Sequence, residues 1–343
     1  MSALALPAPP PASAPPEARG LPRDDVGLLV AERHNGELTN TGFAALGEHL
    51  REGDLLVVNT SATLPAAVPG ALDGEPVLVH FSTPAGDGPG GRRRWVLEVR
   101  DADGGRHAAP GPGATVALAG GGRVRVIASL GDSERLVVAD LMFGAGVLGY
   151  LHAHGQPIRY LHVPGRWPLE AYQTIWAHDL GSAEMPSAGR PFTAELVVRL
   201  ISAGVRFAPV LLHAGVSSLE AGEDPFPERF AVNADTARMV SATRAWGGRV
   251  IAVGTTVVRA LESVAAPDGT LQAAAGATDL VVTPERGVRV VDGLITGWHE
   301  AEASHLRLLE AIAGPDLLTA AYDAAVRYGH RGHEFGDVNL ILP

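Results

Sequence analysis

The sequence predicts an α/β main domain carrying an inserted small antiparallel β-barrel, and three observations lead there. The segment from Arg249 to Ser263 is a short apolar run, Val250-Ile251-Ala252-Val253, that ends in Gly254, Thr255 and Thr256 and then takes helical spacing. That pattern is a buried parallel strand running into a helix. Between about Pro69 and Leu148, short β-branched runs are punctuated by glycine and helical spacing is weak, as in a barrel or sandwich of short antiparallel strands. After Tyr150 helical and strand patterns alternate. The expected organisation is a Pro/Ala-rich disordered tail over residues 1–20, an α/β domain over 21–66 and 149–343, and a barrel over 67–148.

Taken in order, Met1 to Pro16 has neither a basic n-region nor a continuous apolar h-region, and reads as a tail rather than a signal peptide. Gly53 to Thr60 is a tight turn, a buried strand and a polar strand end. The barrel strands are expected at Trp95–Val99, Thr115–Leu118, Val124–Ala128 and Leu136–Leu141, with glycine loops at 86–91 and 120–122. Thr193 caps a helix with apolar positions Leu196, Val197, Leu200 and Ile201, and Gly204 stands where a C-terminal glycine belongs. Val205 to Leu212 is a strand ending at His213-Ala214-Gly215. Further strands are expected at Val250, Val281 and Val288–Ile295, and helices at Ala301–Ala313 and Leu317–Arg327.

Composition narrows the chemistry. With 343 residues, 46% hydrophobic and 19% charged, the chain can bury a sizeable core. No apolar run approaches the roughly 20 residues that span a bilayer, so a cytoplasmic protein without a membrane partner is expected. The absence of cysteine excludes disulfides, a thiol nucleophile and Cys-ligated zinc or iron–sulfur clusters. A net charge of −11 argues against a broad basic footprint for nucleic acid. Arg92, Arg93 and Arg94 read as a solvated loop or edge strand. The cluster of Arg327, His330, Arg331 and His333 carries more functional weight. His152 and His154, or His330 and His333 beside Glu334 and Asp337, have metal-like spacing, but 13 histidines make such proximity commonplace and no metal is expected.

Asn59, Gln173, Thr174, Ser187, His213, Thr255, Thr256, His299 and Asp337 all lie at or beyond the ends of apolar runs. In an open α/β sheet such positions converge on one crevice. Singly, each has a plain structural reading: Asn59 or Asp337 closes a turn, Thr255 caps a helix, and Arg259 pairs with Glu262 three residues on. Together they favour a shared polar site.

The chain resembles the S-adenosylmethionine:tRNA ribosyltransferase-isomerases of queuosine biosynthesis from about Leu21 to Pro343. The resemblance rests on Arg23-Asp24 with Leu28-Leu29-Val30, Gly53 to Asn59, Tyr172-Gln173-Thr174, Pro186 to Gly189 with Phe192-Thr193, and Leu212 to Gly215. Val253 to Thr256 through Arg259 to Ser263, Val291 to Thr296 leading to His299, and Gly336-Asp337 with Leu340-Ile341 complete it. It implies an α/β domain with an inserted barrel. It also implies that S-adenosylmethionine, as co-substrate and without a metal, gives its ribosyl skeleton to a 7-aminomethyl-7-deazaguanine in a tRNA anticodon. The products are epoxyqueuosine-tRNA, adenine and methionine. Such chemistry needs a base for a C5′ proton acidified by the sulfonium, and a donor to the departing adenine. His213 and His299 are the acid–base candidates, because only histidine titrates near neutrality unperturbed, with Asp337 as a third catalytic candidate. The implied cofactor-binding residues are Asn59, Gln173, Thr174, Ser187, Gly189, Gly215, Gly254, Thr255, Thr256 and Arg259, with the two threonines and the helix N-terminus placed for the methionine carboxylate.

Departures from the family pattern thin the cationic residues. Val26-Gly27 replace Ser-Arg, Asn59-Thr60-Ser61-Ala62 ends without arginine, and Ala67 stands where a further arginine does. Arg190-Pro191 replace Leu-His, Ser217-Ser218-Leu219 replace Gly-Thr-Phe, and Pro225 to Glu228 replace a His-rich turn. Gly297 to Ser304 loses a lysine and gains Glu300 and Glu302. Two readings follow: the tRNA enzyme itself, with Arg190, Arg331 and His333 as substitutes, or a paralogue that uses or cleaves S-adenosylmethionine with a small-molecule acceptor.

Overall fold

The computed structural model describes residues 6–144, 146–216, 227–300 and 305–343. In chain order the elements begin with β1 (Gly27–Glu32), β2 (Leu38–Gly42), β3 (Leu55–Asn59) and β4 (Ser61–Thr63). The barrel follows with β5 (Ala67–Leu72), β6 (Glu75–Asp87), β7 (Arg93–Asp101), β8 (Thr115–Leu118), β9 (Arg123–Ser129) and β10 (Leu136–Met142). Then come α1 (Val147–His154), β11 (Asp179–Ser182), α2 (Ala194–Ser202), β12 (Arg206–Leu212), β13 (Glu228–Val232) and α3 (Ala234–Ala245). The rest are β14 (Val250–Val253), α4 (Thr255–Val264), β15 (Ala274–Thr278), β16 (Gly293–Gly297), α5 (His305–Ala313), α6 (Pro315–Tyr328) and β17 (Val338–Leu342).

Nine strands form one mixed sheet in the order β15-β13-β12-β3-β14-β16-β17-β1-β2. Its centre, β12, β3, β14 and β16, is parallel. Every residue of β3 and β14 is buried, as expected of strands covered on both faces and rich in Val, Ile and Leu. Thr193 Oγ1 accepts the Leu196 N–H at 3.1 Å and starts α2 as its spacing predicts. Gly204, at φ +84°, turns the chain into β12.

The second module is a closed barrel, β10-β7-β6-β5-β8-β9. Closure leaves no strand edge exposed. Inward alternation of Trp95, Leu97, Val99, Val124, Val126, Val137 and Ala139 fills it. The same strands bury a charged group, Glu98. Its carboxylate meets Arg100 at 2.6 Å, Arg135 at 2.9 Å and the His80 ring at 3.5 Å. Burial alone raises a carboxyl pKa, but His80 and the two guanidiniums outweigh it and bring Glu98 down to about 2. A carboxyl depressed from its ordinary 4.5 stabilises the fold fully above that value and loses the contribution as pH falls toward 2. Glu98→Gln strands buried guanidinium charge and is expected to cost about 3–5 kcal/mol in urea unfolding at pH 7. The gap from the native chain should shrink toward pH 3; a gap that does not change with pH assigns the loss to packing instead.

Two expectations are corrected, and a third cannot be placed. Residues 6–20 are not a free tail: Leu6 is buried in the main core, Ala12 and Pro10 exchange backbone hydrogen bonds with Gly332, and Glu17 pairs with Arg190 and Arg23. The segments at Val281 and Val288–Asp292 are irregular, and β16 begins only at Gly293. Arg286 and the backbone N–H groups of Arg289 and Val290 close on the Glu262 carboxylate there, which satisfies them without a ladder. The strand instead forms at Ala274–Thr278, an exposed edge whose Ala and Gly residues carry no β-branched signal. The expected helix start at Ala301 to Ser304 lies outside the described residues, and α5 is seen from His305.

Candidate active site

The carboxyl ends of β12, β14 and β16 open onto one cavity of about 320 Å³, closed on another side by Ser82 and Thr83 of the barrel. That volume is in the range of small-molecule sites. At its floor β14 passes into α4 through Gly254, whose φ of +101° suits glycine alone. Among the described residues no side chain caps α4, so at Thr255 and Thr256 its first turn presents backbone N–H groups and the positive end of the helix dipole to the cavity.

One turn further, Arg259 lies 7% exposed against the cavity. Its Nε donates to Leu280 O at 3.1 Å and Nη2 to Thr278 O at 3.1 Å, while Nη1 pairs with Glu228. Glu228 Oε1 accepts the Gly215 N–H at 2.8 Å. The pair thus ties α4, β13, β15 and the loop after β12 together. Arg259 has no ion pair with Glu262, whose carboxylate binds Arg286; the two side chains leave α4 in different directions.

The opposite wall is Gly297-Trp298-His299-Glu300. His299 Nε2 sits 3.0 Å from Thr296 Oγ1, and the Tyr322 hydroxyl accepts the His299 N–H at 3.2 Å. The His305 ring stacks on it at 4.8 Å, tilted 10°. Burial, reinforced by His305 and His333, pushes His299 well below the ordinary histidine range. Burial and nearby Arg259 take His305 down to about 4. Both imidazoles are therefore neutral at pH 7. The unfolded chain protonates them as pH falls through 6.5 and the folded chain does not, so they lower stability below that value.

Of the sequence-predicted residues, Ser187, Gly215, Gly254, Thr255, Thr256, Arg259 and His299 line this cavity. The others stand behind it. Asn59 is buried, bonded to Leu212 N and O, and donates to Thr256 Oγ1 at 3.3 Å. Gln173 bridges the N–H and C=O of Thr63, and Thr174 is buried against Gly189. His213 Nδ1 meets Ser61 Oγ at 2.7 Å. Its ring packs so closely on Gly181 that a Cβ there would lie 2.5 Å away. Asp337 accepts the N–H groups of Gly27 and Arg331 at 2.6 Å each, a use of both oxygens that joins β1 to the last loop. Arg190, expected as a substitute cation, is 2% exposed and spent on Glu17 and Ala171 O.

Cavity residues with no site role assigned from the sequence include Tyr160, His162 and His305, while Glu228 and Glu334 were noted there only as a family departure and as part of a metal-like spacing. His162 Nε2 lies 3.0 Å from Glu334, and ligand atoms of His162, His333 and Glu334 come within 4.8 Å of one another. The two rings stack at 4.1 Å, tilted 35°, and His333 reaches Glu300 at 3.1 Å. This is a stacked pair held by carboxylates rather than three donors converging on a point.

Comparison with known proteins gives one answer over the whole chain. Residues 3–341 match the family of queuosine biosynthesis proteins. The chain is 34% identical over 344 residues to the S-adenosylmethionine:tRNA ribosyltransferase-isomerase of Symbiobacterium thermophilum, covering 94% of both chains. It is 35% identical over 340 residues to that of Carboxydothermus hydrogenoformans, covering 93% of this chain and 94% of the relative. The crystal structure of S-adenosylmethionine tRNA ribosyltransferase from Thermotoga maritima superimposes with a TM-score of 0.54 at 27% identity, over 99% of each chain. Match, identity and superposition agree: the chain belongs to the queuosine biosynthesis protein family.

Proposed function

We propose that this protein transfers and isomerises the ribosyl moiety of S-adenosylmethionine onto 7-aminomethyl-7-deazaguanine in a tRNA anticodon, releasing adenine and methionine. The observation that carries this reading is the uncapped Gly254–Thr255–Thr256 helix start facing neutral His299 across a 320 Å³ cavity, in a chain of this family. In the proposed site residues 21–66 and 149–343 hold the co-substrate. The α4 N-terminus, Thr255 and Thr256 take the methionine carboxylate, a group suited to helix N-terminal donors. Glu228, beside them and charge-balanced by Arg259, takes the methionine ammonium. His299, held by Thr296 and Tyr322, accepts the C5′ proton. Gln173, Asn59 and His213 position the walls rather than touch the reactants. Among the described residues no helix is long and apolar enough to cross a membrane.

The test is adenine release from S-adenosylmethionine with tRNA bearing the aminomethyl-deazaguanine. Adenine formed with that tRNA and not with tRNA lacking the modification supports the assignment. Cofactor binding without adenine release from either tRNA overturns it.

A further inference from the structure

The arginine triplet at 92–94 takes on meaning from the barrel register. On the barrel's outer face, Asp140 of β10 stands directly opposite Arg94 of β7 on one side and Arg125 of β9 on the other. Arg125 in turn faces Thr115 of β8. One step along, exposed Met142 faces Arg123. Directly opposed residues share a face, so Arg94, Arg123 and Arg125 lie on one face of β7 and β9, on either side of β10, and Arg92, just before β7, reaches toward Asp140 on that face. Strands are spaced about 4.8 Å apart. Arg92, Arg123 and Arg125 are exposed. Asp140 is 4% exposed and already accepts from Arg94 Nε at 2.8 Å, with Arg92 at 3.9 Å. A Cβ on Gly88 would meet that pair at 2.7 Å, so the glycine loop lies flat over it. Asp87, at the end of β6, faces Arg93, one residue along from Arg94. The surface is cationic in a chain whose net charge is −11.

Its position matters as much as its sign. Thr83 of β6 lines the cavity and pairs with Val96 of β7, two residues from Arg94 on the same strand. The arginines therefore start one strand from the cavity and lead away from it around the barrel. An arginine face beside a cavity that receives a base matches phosphates flanking that base, since guanidinium forks suit phosphate oxygens.

We infer that the outer face of β7, β10 and β9 is an RNA-docking surface, on which Arg92, Arg123 and Arg125 bind backbone phosphates next to the modified nucleotide. The inference rests on the tRNA reading proposed above.

The experiment measures fluorescence-anisotropy binding of tRNA bearing the aminomethyl-deazaguanine to the full chain between 50 and 300 mM salt. The native protein is compared with an Arg123→Gln/Arg125→Gln double variant. An Arg199→Gln/Arg238→Gln variant removes equal charge from exposed helix positions. Adenine release at saturating tRNA is followed in parallel. Removing one arginine–phosphate pairing lowers the slope of log Kd against log salt by about 0.7–0.9. The barrel variant should therefore lose about 1.5 in slope and at least about tenfold in affinity at 0.1 M salt. Its kcat should hold, and the helix variant should match native. Equal slopes for all three proteins, with native turnover intact, overturn the docking surface and leave the activity standing. Equal losses in both variants also overturn it, because they report net charge. A native chain that neither binds nor turns over this tRNA removes the activity itself and the surface with it.

Discussion

His299→Ala is expected to abolish adenine release while the fold persists. The ring closes one wall of the cavity, but the structural bonds of this residue are made by its backbone, with Tyr322 holding both its N–H and its C=O. Alanine keeps those. It removes a neutral imidazole in the cavity wall whose Nε2 lies 3.0 Å from Thr296 Oγ1. General base catalysis contributes about 10²–10⁴-fold, so kcat should fall by at least that much with KM for S-adenosylmethionine little changed. His299→Gln preserves the Thr296 hydrogen bond without a proton acceptor of comparable basicity and should be as inactive. Turnover retained in both variants would remove His299 from the mechanism and shift attention to His305, stacked 4.8 Å away. Because burial holds both rings neutral, the kcat profile should show no fall between pH 8 and 6 from these groups.

Arg259→Ala should damage both fold and binding. The guanidinium spends Nε and Nη2 on the carbonyls of Leu280 and Thr278 and Nη1 on Glu228. Truncation leaves two acceptors and a carboxylate 13% exposed without their cation. Breaking a buried pair from one side costs about 3–5 kcal/mol, which is several degrees in Tm for a chain of this length. Glu228 also orients Gly215 through its N–H, so the cavity edge loosens and KM for S-adenosylmethionine should rise roughly tenfold or more, equivalent to about 1.4 kcal/mol. Arg259→Lys is the informative companion. It restores charge but supplies a point donor in place of a three-way fork, and should regain stability before it regains KM. Full recovery of both with lysine would mean that charge alone matters there.

Those parts of the fold that local pattern encodes are legible in the sequence. Val250–Val253 is legible because a strand covered on both faces must be continuously apolar, and Gly254 because a strand-to-helix reversal with positive φ excludes other residues. The barrel is legible through its alternation. Ala274–Thr278 is not, since an exposed edge needs no apolar side chains and Ala and Gly announce nothing. Site membership fared according to range. Thr255, Thr256 and His299 lie directly beyond strand ends and fall in the cavity. Glu228 was visible only as a departure from a family pattern, because its partner Arg259 is 31 residues on and the two meet only when α4 lies across β13. Asp337 and Asn59 have the same local setting as the cavity residues, and only the register shows that their oxygens are consumed by neighbouring backbone.

The arrangement of the sheet also orders events in time. β1, the earliest strand among the described residues, finds its parallel partner in β17, the latest of them, with Leu28 beside Val338 and Glu32 beside Leu342. At about 5–20 residues per second, tens of seconds separate the two on the ribosome. Until then β1 has only β2 at its side. The barrel strands, contiguous from Ala67 to Met142, have every partner in hand long before. A nascent chain stalled near residue 200 should thus carry a protease-resistant barrel between two unprotected flanks, and the S-adenosylmethionine cavity comes into being only once residues up to Glu334 have emerged.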